Sequence, residues 1–269
     1  MEGSIEVKGV VLSSMPVGEY DRRLLLLTKE KGKISAFARG ARKPGSTLLS
    51  AARPCTFGVY RVYQGRSSYT VQGMMPVRYF DEFGSDIEGM TYASYFLELA
   101  DYYARENVDG TEIMNLLFVS FKALLNEKIP SSLVRVIFEL RMMGINGEGP
   151  QVFSCGGCGK ILAEGMYQKR RSSLYCEDCM RKLDGGECMD MQESQAAWGY
   201  GGGQAGWLHL SEGVLYTLQF ILTAPLSKLF TFELSQKVFV QVKSFVAQHM
   251  KRYIDREFHS LSVLDVITT

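Results

Sequence analysis

Residues 23–39 read RLLLLTKEKGKISAFAR. An apolar run, Arg23–Thr28, is followed by the turn-forming Lys29-Glu-Lys-Gly32 and then by the alternating segment Lys33–Arg39. A strand sends successive side chains to opposite faces. Ile34, Ala36 and Ala38 therefore make one small apolar face, fit for a barrel interior. Lys33, Ser35, Phe37 and Arg39 make the other, with cations around a ring. The segment runs on into Gly40-Ala-Arg-Lys-Pro-Gly45, where Arg42 and Lys43 continue the positive charge into a loop loosened by glycine and proline.

The same vocabulary extends in both directions. IEVKGVVLS (5–13), FGVYRVYQ (57–64) and SYTVQGM (68–74) are short β-branched and aromatic runs bounded by turn signals. Five strands in about 75 residues predict a small barrel of the OB or SH3-like type, and STLLSAARP (46–54) predicts a short helical turn between strands three and four. Beyond Met75-Pro76 the period changes. Residues 86–105, 111–125, 131–143 and 211–222 carry apolar residues at helical spacing. So does the stripe Leu234, Val238, Val242, Phe245, Val246, which continues towards Tyr253. Residues 184–206 are glycine-rich and read as a loop. The fold class expected is α+β in two domains: a β-barrel over 1–80, then an all-α domain over 81–269 that carries a zinc-binding insert at about 152–183.

That insert rests on four cysteines. Cys155-Gly-Gly-Cys158 and Cys176-Glu-Asp-Cys179 are separated by seventeen residues. Each Cys-x-x-Cys turn aims two thiolates at one ion, and two turns complete a tetrahedron of sulfurs. Gly157 and Gly159 give the turn its backbone freedom. Two disulfides would suit an exported chain, and a redox pair would suit a βαβ unit; neither sign is present. Four sulfur ligands leave no open coordination position, so the expected ion is one structural zinc. Cys55 reads as a small core residue, and Cys188 falls in the loop.

Charge divides the chain. The first 80 residues hold 13 Lys and Arg against 5 Asp and Glu; the rest hold 17 against 24. A basic barrel with a cation-flanked ring is what single-stranded nucleic acid requires, with cations for phosphates and a ring for a base. The expected DNA-binding residues are Lys33, Phe37, Arg39, Arg42 and Lys43, joined by Arg53, Arg61 and Arg66 from neighbouring segments. His209, His249 and His259 fit no metal or triad signature, and no phosphate-binding loop or dinucleotide fingerprint occurs. No catalytic constellation is found. No apolar run is long enough to span a membrane, and the N-terminus does not read as a signal peptide. The location expected is the cytoplasm, at the nucleoid.

GEYDRRLLLLTKEKGKISAFARGARKPGS (18–46), FELRMMGINGEGP (138–150) and the two cysteine pairs, in that order, resemble the RecO family of bacterial recombination mediators. The resemblance covers about residues 1–180. It implies an N-terminal OB-fold and a helical domain with a zinc module. It further implies binding to single- and double-stranded DNA, annealing of complementary strands, contact with the acidic C-terminal tail of single-strand-binding protein, and partnership with RecR in loading RecA during the response to DNA damage. The residues alone leave an alternative from another class open, a zinc-containing RNA-associated protein with an OB-type barrel. A thiol or metal enzyme would need an open site.

Overall fold

The computed structural model describes residues 3–66, 68–183 and 206–267. The glycine-rich loop expected over 184–206 and its Cys188 lie outside the described residues, Gly206 excepted. Two compact units are formed, Met1–Phe138 with Arg256–Thr269, and Glu139–Asp255.

In the first unit, β1 (Ile5–Val17), β2 (Asp21–Thr28), β3 (Gly32–Ala38), β4 (Phe57–Gln64) and β5 (Tyr69–Arg78) close a barrel in the order β1-β2-β3-β5-β4. β3 and β5 run parallel, all other neighbours antiparallel. The turn expected between strands three and four is helix α1 (Leu48–Ala51). The alternation read from 33–39 is present: Ile34, Ala36 and Ala38 are buried with Leu24, Leu26, Tyr60, Val62 and Val71, while Lys33, Ser35 and Phe37 are half-buried on the opposite face. Cys55 is a buried core residue, 2% exposed, and burial pushes its thiol up to about 12.

Helices α2 (Ile87–Tyr103) and α3 (Thr111–Leu124) pack in the same unit as the barrel. The barrel ends near residue 80, but the compact unit does not. A cluster of rings joins strand to helix: Phe57 of β4 meets Phe118 and Phe121 of α3 edge-on, at centroid distances of 5.2 and 6.1 Å. Edge-to-face pairs add about 0.5–1.5 kcal/mol each beyond the area they bury. α4 (Ser131–Ile145) begins in this unit, where Phe138 stacks on Phe96 at 4.0 Å. A C-terminal helix, α8 (His259–Ile267), returns to it and is absent from the sequence reading. Its approach is anchored on α2, where Phe258 packs edge-on against Tyr95, the Ser260 hydroxyl donates to Glu98, and Arg256 faces Asp101 at 3.7 Å.

The second unit corrects the expectation of a purely helical domain. It holds α5 (Glu177–Leu183), α6 (Glu212–Thr223) and α7 (Gln236–Tyr253), together with a three-stranded sheet in the order β7-β6-β8. The strands are β6 (Gly165–Gln168), β7 (Ser173–Tyr175) and β8 (Trp207–Leu210). They are too short for period alone to reveal, although Trp207-Leu-His-Leu210 alternates and does bury both leucines. Tyr167 and His249 bind each other within this unit: the imidazole Nε2–H donates to the Glu148 carbonyl at 2.7 Å, so Nδ1 accepts from the Tyr167 hydroxyl at 3.2 Å.

The β2–β3 turn is bound by backbone to the α2–α3 connection. Lys33 N–H donates to the Arg105 carbonyl at 3.0 Å, and Asn107 N–H to that of Lys31 at 2.9 Å. Gly32 has φ +63°, and a Cβ there would lie 2.2 Å from the Arg105 oxygen. Gly32→Ala should therefore cost roughly 2–4 kcal/mol. Gly18 shares the positive φ but faces open space, so Gly18→Ala should cost only about 1 kcal/mol. Urea midpoints of the two variants check the difference.

Candidate metal centre and nucleic-acid face

The four predicted cysteines converge. Their sulfurs all lie within 4.8 Å of one another, with Cys155 to Cys176 at 3.8 Å and Cys158 to Cys176 at 3.9 Å. Four sulfurs at about 2.3 Å from one ion, arranged as a tetrahedron, stand about 3.8 Å apart. The cluster can hold one metal ion. Its first knuckle hangs on β7 through Gly156 N–H, which donates to the Leu174 carbonyl at 2.7 Å. At Gly157 a Cβ would meet the Cys179 sulfur at 2.8 Å, and Gly159 has φ +76°. The two glycines are thus required for different reasons, close approach and backbone sign.

Electrostatics in the cluster are uneven. Burial works to raise the Cys155 thiol, but backbone N–H groups of Cys158, Cys176 and Gly157 outweigh it and hold the thiol at about 6. Cys179, whose sulfur shares a hydrogen bond with Cys176, is pushed up to about 12. A cation at the centre would displace the protons that the four sulfurs otherwise share.

The predicted nucleic-acid residues separate into two groups. Phe37, Arg39, Arg42, Lys43 and Arg61 belong to the outer barrel face and the loop after β3. Arg39 and Arg61 are exposed, and neither makes an ion pair among the described residues. The loop is not slack as its composition implied. Arg42 N–H donates to the Tyr20 carbonyl at 2.8 Å and its guanidinium to the Gly18 carbonyl at 3.2 Å, while Asp21 accepts from Gly40 N–H at 2.7 Å. Lys43 lies over the Tyr20 ring at 5.5 Å. The cations are thus held on a pinned series of turns.

Lys33 and Arg53 differ from these. The Lys33 ammonium binds the Asp101 carboxylate at 2.9 Å and the Asp101 carbonyl at 2.7 Å. That partner lies 68 residues away and no local pattern announces it. Arg53 faces Asp81 at 3.7 Å, with both side chains mostly exposed. Arg23, which the sequence reading passed over, is exposed and stands opposite Phe37 in the β2–β3 register.

A second feature was not legible at all. In the unit Glu139–Asp255 a half-open cavity of about 230 Å³ has walls of Tyr167, Leu208 and Phe245, and cations Lys169, Arg170 and Arg252 at its lining. The apolar walls come from β6, β8 and α7, so no contiguous stretch carries the signature. Among the described residues, no helix is long and apolar enough to cross a membrane.

The metal site has a direct test. The protein is expected to bind one metal ion per chain. Cys155→Ser should abolish that stoichiometry, read by elemental analysis of the purified protein, and should lower the melting temperature by several degrees.

The family description "Recombination protein O N terminal" matches residues 1–80, and "Recombination protein O C terminal" matches residues 84–197. The "DNA repair protein RecO" of Acetivibrio thermocellus is 26% identical over 98% of this chain and 97% of its own length. That of Alkaliphilus metalliredigens is 32% identical over 65% of this chain and 72% of its own. That of Exiguobacterium sibiricum is 26% identical over 97% and 96%. Barrel, helical part and cysteine cluster thus fall within the two family matches, two of the three relatives are matched nearly end to end, and this chain belongs to the RecO family of DNA repair proteins.

Proposed function

We propose that this protein is a non-enzymatic mediator of DNA repair and recombination. It binds single- and double-stranded DNA, anneals complementary strands and, with RecR, helps load RecA onto DNA coated by single-strand-binding protein. The observation that carries the DNA-binding part is the outer barrel face, where Arg39, Arg42 and Lys43 form a fixed cationic edge beside the half-buried ring of Phe37. Annealing needs two polyanions to approach, and fixed cations lower that repulsion without nucleotide hydrolysis. Arg53 and Arg61 extend the field. Lys33 contributes less, because Asp101 neutralises it, and serves mainly to fasten β3 to α2. The metal in this reading is zinc, with Cys155, Cys158, Cys176 and Cys179 as its ligands; a site of four thiolates is closed, so the ion's work is structural.

For the tail of single-strand-binding protein, an acidic apolar peptide, the cavity lined by Phe245 and Leu208 is the best candidate. It offers an apolar hole with Lys169, Arg170 and Arg252 about it. Apolar side chains supply affinity in such a pocket, and the cations orient the acids.

Replacing Arg39, Arg42 and Lys43 together with Ala should weaken binding to single-stranded DNA and flatten the slope of log K against log salt by about 2, at roughly 0.7 per lost phosphate contact. An unchanged slope would remove this face from the site. In a pull-down with the tail peptide, the exposed pair Lys169→Ala and Arg170→Ala should reduce capture several-fold without affecting DNA affinity. Equal capture by wild type and variant would place the tail elsewhere.

A further inference from the structure

Strand register places a second ring on the barrel's outer face. Arg23 of β2 pairs with Phe37 of β3, Phe37 pairs with Thr70 of β5, and Thr70 pairs with Tyr63 of β4. Paired residues on neighbouring strands share a face. Arg23, Phe37, Thr70 and Tyr63 thus form one row that crosses four strands. The adjacent row confirms the side: Leu24 pairs with Ala36, Val62 pairs with Val71, and all four are buried. Tyr63 is 44% exposed. Among the described residues no other ring packs against Phe37 or Tyr63.

Cations lie along one side of the row. Arg39, exposed in the turn that follows β3, is two residues beyond Phe37, and Arg61 is two residues before Tyr63 on β4, which runs antiparallel to β5 and hence to β3. Arg23 spends its Nε–H on the Ser35 hydroxyl, at 2.9 Å, which leaves the outer nitrogens of the guanidinium for an anion. Two acids adjoin the row: Glu6 of β1 is the cross-strand neighbour of Arg61, with no ion pair between them, and Asp21 of β2 stands two residues before Arg23, its carboxylate accepting from Gly40 N–H at 2.7 Å. Positive charge still outweighs negative along the track, three to two.

We propose that this row is a track for single-stranded DNA that runs across the strands, with Phe37 and Tyr63 each stacking on a base and Arg23, Arg39 and Arg61 meeting phosphates. The inference rests on the DNA-binding reading above. It adds the direction of the bound strand, a second stacking ring and a reason for discrimination. Neighbouring strands are about 4.8 Å apart, so the rings are separated by two steps, roughly 10 Å. In a duplex the bases are about 3.4 Å apart along each strand and cover one another's faces. Neither ring can reach a base face there. An unpaired strand can splay one base onto each ring, which is how aromatic side chains bind single strands without reading sequence. The same protein would then hold duplex through its cations alone and single strands through cations and rings together.

The test is fluorescence anisotropy on the full chain, with a labelled oligothymidine and a blunt duplex of equal length. Tyr63→Ala should lose about tenfold in affinity for the single strand, stay within about twofold on the duplex, and leave the salt slope unchanged, because no phosphate contact is lost. Tyr63→Phe should bind as wild type. Phe37→Ala should behave like Tyr63→Ala; its ring is half-buried, so Tyr63, on the open surface, decides if that variant fails to fold. Unchanged single-strand affinity in Tyr63→Ala, or equal losses on both DNAs, overturns the track. The DNA-binding reading survives that result if the Arg39, Arg42 and Lys43 replacement still weakens both forms. Wild-type protein that binds neither DNA overturns both.

Discussion

The backbone pairing at Gly32 fixes which way every outward side chain of β3 points. A strand has a period of two, so a slip of one residue would carry Lys33, Phe37 and Arg39 to the interior and bring Ile34, Ala36 and Ala38 to the surface. Two features forbid the slip. The inner face is too small and apolar to be exchanged, and the turn itself is bonded to the chain at Arg105 and Asn107, where there is no room for a side chain on Gly32. The Lys33 ammonium, on its carboxylate and carbonyl of Asp101, adds a third lock from the outer face. A residue whose charge looks available for a ligand is used instead to hold β3 in register.

Much of the barrel was legible because its signals are local. Alternation through residues 33–39, turn residues at 29–32, and a short helical stretch at 46–54 are read within windows of four to nine residues, and each corresponds to a feature of the structure. The same holds for the long helices α2, α3, α4, α6 and α7, where several turns repeat the apolar period. The cysteine pairs were legible for another reason: the chemistry of a tetrahedral ion restricts spacing so strongly that sequence carries the geometry.

What escaped the sequence was long-range. Asp101 meets Lys33 across 68 residues, and Phe57 of β4 meets Phe118 of α3 across 61. The cavity draws its walls from β6, β8 and α7. Strands of three and four residues give too few alternations to separate from loop, so the sheet β7-β6-β8 was missed. Tyr63 lay in a segment correctly read as a strand, yet its relation to Phe37 depends on β5 running parallel to β3 between them. Composition also misled in one place. Glycine and proline after Arg39 gave the expectation of slack, whereas those residues make the turns that hold Arg42 and Lys43 still.

The first unit is discontinuous: it takes residues up to Phe138, then resumes at Arg256 after the whole second unit has intervened. Phe258 covers Tyr95 and Tyr102, and Arg256 shares Asp101 with Lys33. On the ribosome the barrel and α2 emerge early, but the surface that closes over α2 is more than a hundred residues behind. Until Phe258 has been synthesised, the Tyr95 and Tyr102 rings lack its cover, and the Asp101 carboxylate has Lys33 as a partner but not Arg256. Maturation of the barrel-bearing unit of this protein is thus timed by translation of its far end, and a nascent chain stalled within the second unit would carry a formed barrel with an unsealed flank.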